Sequence, residues 1–548
     1  MQKSKICKSV LILILISFAF LMLGNGLMAL TNPDEVFYSQ TAKEMIQQKT
    51  WSVPYLFGQP QLEKPILTYW LLRFAYMLFG VNSFGARFFP ALFGIIGVIA
   101  VYFLALLAFK DELKAFFCGL ILASAGLYIG LSRTVFTDLI FSVFILLSLA
   151  AFFWGYLYKE SKGAGLTLFF AFSGLAVLTK GPLGIILPLF SVLLYLSLKK
   201  ELRFLFCWAC VLGGAVFLLI SVPWYAEMIL KFKKVFIREF FINDHLRRVL
   251  EAEHRSADRW YFYPGNMIFG MFPWSLYTAA AIIYSFKKSF DRRSPEVYLY
   301  LASWILAVFL VFQAAHSKLS SYIFPLFPAL ALVSGDYLVT AVRAGRHRLI
   351  GVFSWITWAI FFSFPAGICF GVIKYPQYLL VKFAPYFILA FILLQGLMLH
   401  LILKKRYLAN AFVTAFIIPL LLWFALISHK NFDPYVSSKE ACEFLTGNYR
   451  VQGKILCSKA FVRGIRFYTD KDVAVTNVGG ADFFSPHPIP VMHTDLEVQG
   501  FLKRQPLTFC IVNKSSYEDL RRISSDSSFS LELLSTIGNE YILTVKTR

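Results

Sequence analysis

The chain has 548 residues, 58% of them hydrophobic and 15% charged, with a net charge of +22 and a mean hydropathy of +0.65. A charged fraction well under the roughly 25% usual in soluble domains excludes an ordinary globular protein. Much of the positive charge sits in short turns between apolar runs, the pattern of a polytopic membrane protein and not of a nucleic-acid binder.

In chain order, Lys3, Lys5 and Lys8 precede an apolar run over residues 9–30. The run is long for a signal peptide and lacks an A-x-A cleavage site, so we expect a retained span with a cytoplasmic N-terminus. Further apolar runs cover residues 86–108, 115–132, 138–158, 165–179, 182–198, 204–224, 265–286, 297–314, 320–341, 349–373, 379–403 and 407–428. Together they predict about thirteen membrane helices. The turns at residues 110–114, 159–162, 199–203, 287–293, 343–348 and 404–406 are all basic, and the positive-inside rule assigns them to the cytoplasm. Residues 32–65, 133–138, 180–182, 226–264 and 316–321 then share the opposite face with the C-terminal tail.

Residues 226–264 mix both charge signs with aromatics and are expected to form amphipathic helices on the membrane surface. The character changes at residue 430, with β-rich runs at 454–458, 507–512 and 541–545 and helix-like segments at 438–445 and 516–523. The expected architecture is mainly α. It is a polytopic helix bundle over residues 1–429 with external loops 31–85 and 226–264, followed by a small extracytoplasmic α/β domain over 430–548. Cys207 and Cys210 form a CxxC inside an apolar helix without a partner pair, which argues against metal or redox use. Cys442, Cys457 and Cys510 allow one disulfide in an oxidising compartment, with the pair left open.

Ionisable residues converge on the outer face: Asp34, Glu35, Glu63, Lys64, Asp138, Lys180, His245, His254, His316 and Lys318. Pumps and channels place such groups in mid-span, lining a path. Here most lie at span ends or in loops, which suits a surface-facing active site.

Four stretches carry a family resemblance: Pro33-Asp34-Glu35 with Tyr38; Leu62-Glu63-Lys64-Pro65; Leu178-Thr179-Lys180-Gly181-Pro182; and Ser317-Lys318-Leu319-Ser320-Ser321-Tyr322 before Pro325 and Pro328. In their order and spacing, over roughly residues 10–345, they resemble the GT-C fold, polyprenyl-phosphate-sugar-dependent glycosyltransferases. The resemblance is to the aminoarabinose (lipid A) transferase and bacterial protein-mannosyltransferase-like group. One departure is Ser320, where relatives commonly show Pro.

The resemblance implies a sugar moved from an undecaprenyl-phosphate donor to lipid A or a related glycolipid at the outer face of the inner membrane, among membrane lipids. The alternatives are transfer to Ser/Thr of exported proteins, or a lipid-linked saccharide flippase. Asp34 corresponds to the family's carboxylate after the first span, with Glu35 and Asp138 as further catalytic candidates. With a hydroxyl acceptor Asp34 acts as general base. With an ionised phosphate acceptor it orients the acceptor or stabilises positive charge on the sugar. Lys64, Arg255, Arg259 and Lys318 are candidates to hold the donor phosphate, where cations stabilise the leaving oxygen. Tyr38, Tyr55 and Tyr322 are candidates to line the lipid-phosphate cavity, the alternative being an ordinary interfacial aromatic belt. Glu63 and His254, with His245 as the alternative, are candidate ligands for a divalent ion such as Zn, Mg or Mn.

Overall fold

The computed structural model describes residues 2–251, 258–291, 293–377, 381–481, 488–525 and 529–547. Among these residues, nine helices are long and apolar enough to cross a membrane, or eleven if each of two bent pairs forms one span. The bent pairs are Glu112–Ser124 with Gly126–Ser132, at 64°, and Phe262–Gly270 with Ser275–Ser289, at 115°. The chain is a multi-pass membrane protein. Two expected spans are the shorter apolar helices Leu183–Lys199 and Val297–Gln313, so every apolar run read from the sequence has its helix.

The turns expected to share one face do meet. Arg343 pairs with Asp111, and Lys199 with Glu296. Nearby, the Tyr156 hydroxyl donates to Glu201 at 2.8 Å, and Lys162 lies 4.3 Å from the Phe204 ring centroid. At the opposite end lie the helices that build the site. Residues 31–85 are more ordered than a loop, because they contain the helices Asp34–Gln47 and Leu67–Phe79. These pack with Val135, Trp224, Phe236 and Phe240 into an apolar cluster around Tyr38, Tyr69 and Tyr76. The span expected to end at residue 224 instead continues as Trp208–Phe236 and a further wide turn to Leu246, with Pro223 inside and a kink at Lys233. Proline reads as a stop in a soluble helix, but membrane neighbours tolerate it.

Beyond the last span, Tyr407–Ile427, the short helix His429–Val436 leads into a six-stranded sheet. Its order is Val491–Met492, Val473–Thr476, Ile455–Ser458, Leu507–Val512, Glu540–Thr547, Phe529–Ile537. The first four strands are parallel and the last two pairings antiparallel. The expected runs at 454–458, 507–512 and 541–545 are strands. The sequence reading missed Val473–Thr476, Val491–Met492 and Phe529–Ile537, and the helices Val462–Thr469 and Asp495–Leu502. All eight cysteines are free. Alternation along the strands puts Cys457 with Cys442 on one face of the sheet and Cys510 on the other, and the disulfide that the sequence allowed is not formed by any pair of the three.

This domain is bonded onto the start of the chain. Ala29 N–H donates to Asp433 at 3.1 Å, Leu30 N–H to the Tyr468 hydroxyl at 3.0 Å and Asn32 N–H to the Val436 carbonyl at 2.9 Å. Lys43 donates to the Phe467 carbonyl at 2.7 Å and to Asp470 at 2.8 Å. Gly464 faces Asn32 so closely that a Cβ there would overlap the Asn32 side chain. The Asn32 amide donates to Ser438 Oγ at 2.8 Å, which donates to Glu540 at 2.6 Å.

Glu540 is 2% exposed, and burial pushes its carboxyl up to about 8, only partly offset by Ser438. The folded state then holds a proton that the unfolded chain releases near 4.5. Stability from this group is full below pH 4.5 and is lost as pH rises through about 8. We expect the unfolding temperature of the detergent-solubilised chain to fall between pH 5 and 8.5, and Glu540→Gln to flatten that slope.

Candidate active site

A cavity of about 750 Å³ lies between the span ends and the C-terminal domain. Its membrane-side wall includes Asp34, Tyr38, Glu63, Lys64, Asp138, Lys180 and Tyr322, so the four sequence stretches that carried the resemblance meet in one place. Asp34 opens the Asp34–Gln47 helix and is exposed to the cavity. Its carboxylate lies in the first turn, where the helix dipole favours negative charge. Tyr38 follows one turn later, buried against Phe37, Tyr69 and Phe136. Burial, then the charge of Asp138, pushes its phenol well above the ordinary range. It therefore stays protonated and able to donate a hydrogen bond.

Glu35 does not share this position. It is 1% exposed and forms a fork with Arg87, Nε to Oε1 at 2.8 Å and Nη2 to Oε2 at 2.6 Å. Thr31 donates to it through its N–H and hydroxyl, and Val135 through its N–H. Burial alone would push the carboxyl up, but Arg87 and Thr31 outweigh it and hold it below the ordinary range. Arg87 also donates to the carbonyls of Asn25, Met28 and Ala29. The expectation of a catalytic Glu35 is therefore corrected. Helical spacing turns it away from the cavity, and its oxygens are already taken. It is a positioning residue that locks the approach to Asp34.

Two cations face the cavity in ion pairs. Lys64 Nζ lies 2.8 Å from both oxygens of Asp244. Lys180 ends its helix 2.5 Å from Asp138 and 4.5 Å from the Tyr322 ring centroid. The next residue, Gly181, has φ +87°, and a Cβ there would overlap the His245 ring. Glycine thus turns the chain immediately after Lys180 and admits that imidazole.

Lys318, expected at the donor phosphate, is 4% exposed and pairs with Asp258 at 2.5 Å. His316 approaches the other Asp258 oxygen at 2.8 Å. Hydrogen bonds from Lys318 and then His316 hold the Asp258 carboxyl below its ordinary range. Lys318 is absent from the cavity lining, which takes Leu319, Ser321 and Tyr322 from the same stretch. Its role is therefore corrected to anchoring residue 258 on the bundle, its charge being spent on Asp258. Arg259 and Tyr55 also stand off the cavity, Arg259 exposed and Tyr55 packed in the apolar cluster below. Arg255 and His254 lie outside the described residues. Glu63 lines the cavity, but among the described residues no group of three His, Cys, Asp or Glu side chains is placed to hold a metal ion.

Sequence reasoning quoted Lys180 without assigning it a role and missed Asp244 and Arg463. Arg463 comes from the Val462–Thr469 helix, donates to the Pro33 carbonyl at 3.4 Å and lies 4.7 Å from the Phe37 ring centroid. Nothing local marks a contact made across 430 residues.

The profile of the dolichyl-phosphate-mannose-protein mannosyltransferase family matches residues 6–237. An uncharacterised protein of Aquifex aeolicus is 31% identical over 347 residues, covering 63% of this chain and 67% of that one. The undecaprenyl phosphate-alpha-4-amino-4-deoxy-L-arabinose arabinosyl transferase 1 of Pseudomonas fluorescens is 31% identical over 62% of this chain, and the match spans 61% of its own length. A Pseudomonas aeruginosa transferase of the same description is 29% identical, with 62% of its length spanned. The crystal structure of ArnT from Cupriavidus metallidurans bound to undecaprenyl phosphate superposes with a TM-score of 0.79 at 20% identity, covering 98% of this chain and 97% of that one. That likeness shows a shared fold extending through the C-terminal domain. The chain thus has the fold of ArnT over nearly its whole length, and its first 237 residues carry the match to the dolichyl-phosphate-mannose-protein mannosyltransferase family.

Proposed function

We propose that the protein transfers a sugar from an undecaprenyl-phosphate-linked donor to lipid A or a related envelope glycolipid, at the periplasmic face of the bacterial inner membrane. The observation that carries this reading is the convergence of Asp34, Lys64 and Lys180 on one cavity at the span ends. The donor's tail lies among lipids, so its phosphate arrives at the membrane wall, beside Lys180 and Lys64. As the sugar leaves, the phosphate oxygen gains negative charge, and fixed cations there act without solvent reorganisation. Asp244 and Asp138 hold the two ammonium groups in place beforehand. Tyr38 and Tyr322 give the same wall aromatic faces and hydroxyls. Asp34, exposed to the cavity, serves the attacking acceptor.

The test is transfer in detergent from radiolabelled undecaprenyl-phosphate sugars to a panel of glycolipid and peptide acceptors. Label on glycolipid supports the reading. Label on peptide moves the protein to the mannosyltransferase-like alternative, which the matched family profile favours. Lys180→Met is expected to lower kcat by about 100-fold, the loss typical of one removed charge-stabilising group. Unchanged kcat would take Lys180 out of leaving-group stabilisation.

A further inference from the structure

The span that begins just after Tyr322 of the active site ends, at Arg343, beside a second cavity of about 190 Å³. Helical spacing builds its walls. Tyr284 and Lys288 stand one turn apart on Ser275–Ser289, and Tyr337, Thr340 and Ala344 share one stripe of Phe327–Arg343 and its cap. Arg346, just before His347–Lys374, closes the rim. The small side chain at Ala344 leaves room that a larger one would fill. No carboxylate lines this cavity, whereas Asp34, Glu63 and Asp138 line the active site.

Other charges at this end are already matched. Arg343 pairs with Asp111, and Lys114 with Asp336 at 2.6 Å. Asp336, fully buried one residue before Tyr337, also accepts from Tyr298 at 2.8 Å and from Thr340 at 3.2 Å. Asp291, three residues after Lys288, accepts from the Arg293 N–H at 3.0 Å and the Ser294 hydroxyl at 3.1 Å. Among the described residues, Lys288 and Arg346 have no salt-bridge partner. Tyr337 is 7% exposed, with its ring 5.5 Å from that of Tyr284. Its hydroxyl has no hydrogen-bond partner among the described residues. Leaving such a group unmatched is costly, and a ligand oxygen would remove that cost. The positive-inside rule explains the sign of the charge here. It does not explain a concave wall that joins two unmatched cations to an orphaned phenol.

We propose that this cavity binds the phosphate of an anionic phospholipid headgroup, with Lys288 and Arg346 on its oxygens and Tyr337 donating to one of them. Basic pockets between membrane helices take such headgroups, and the arginine fork matches two phosphate oxygens at once. The flanking helices favour a lipid over free phosphate. Ile283, beside Tyr284, is 59% exposed, and Leu349, one turn after Arg346, is 53% exposed, so apolar side chains face the acyl chains next to the cavity. This site lies at the far end of the span from the active site and does not depend on the transfer reading.

The test is native mass spectrometry of the full chain in detergent, titrated with phosphatidylglycerol, phosphatidylcholine or inorganic phosphate. Wild type is expected to retain one phosphatidylglycerol that the double variant Lys288→Gln with Arg346→Gln binds at least about tenfold more weakly, as for lost hydrogen bonds to a charged group. Ala344→Trp keeps both cations, fills the cavity and is expected to lose the same lipid. That variant separates a shaped site from the general attraction of a chain of net charge +22 for anionic lipid. Phosphatidylcholine, whose choline cancels the phosphate charge, is retained by none of them. Equal phosphatidylglycerol binding by wild type and Ala344→Trp, or equal retention of the two lipids by wild type, overturns the inference. Inorganic phosphate bound as tightly as the lipid, and lost from the same variants, assigns the cavity to a free anion and also overturns it. If Ala344→Trp unfolds early, the double variant and the two-lipid comparison on wild type decide.

Discussion

Asp34→Asn is expected to lower transfer by about 100-fold to 10,000-fold, the range for a positioned acid–base group, with no change in unfolding temperature. The carboxylate is exposed, and among the described residues no salt bridge reaches it, so removing its charge breaks no buried ion pair. The form of the loss depends on the acceptor. A hydroxyl acceptor needs a base, so kcat falls. A phosphate acceptor is already ionised, so the loss falls mainly on acceptor KM, because Asp34 then orients it and not the proton. Equal labelling by the variant and wild type would remove Asp34 from the mechanism and leave the cations without a partner in the chemistry.

Arg87→Met is expected to destabilise the protein by about 3–5 kcal/mol, the cost of stranding one partner of a buried ion pair. Glu35 would keep its burial and lose its fork, while the carbonyls of Asn25, Met28 and Ala29 would lose their donor. Thermal unfolding in detergent measures the cost. The double variant Glu35→Gln with Arg87→Met is expected to recover part of it, because the stranded charge is gone. Loss of activity should track loss of fold. Neighbouring carboxylates would then give opposite results, Asp34 costing rate without stability and Glu35 costing stability first. A stable, inactive Glu35→Gln would contradict the positioning role.

The adjacency of Asp34 and Glu35 also shows how far the sequence reached. Apolar length located the spans, since about twenty residues must cover the hydrocarbon, and basic turns grouped their ends. Motif order brought Asp34, Lys64, Lys180 and Tyr322 to one cavity. Which carboxylate of a pair faces that cavity depends on helical phase and on Arg87, 52 residues away, so Glu35 was misplaced. Lys318 was misassigned for the same reason, since its partner Asp258 lies 60 residues back. The short strands Val473–Thr476 and Val491–Met492 are held by sheet neighbours more than by their own residues, and periodicity over two to four positions is too brief to register. Arg463 was out of reach altogether, because its importance comes from where a distant helix docks.

That docking has a consequence for the order of events during synthesis. The C-terminal domain holds the Asp34–Gln47 helix through Lys43 and Gln47 and supplies one wall of the cavity. Ribosomes add about 5–20 residues per second, so the helix bundle waits on the order of ten seconds for that wall to emerge. Until then Asp34 and the two lysines border a cavity that lacks the wall formed by Ser458, Asn477 and Arg463. Completion of the chain thus works as a quality gate: a nascent or truncated copy carries every membrane-side group of the site and still lacks the compartment in which the reaction is to occur.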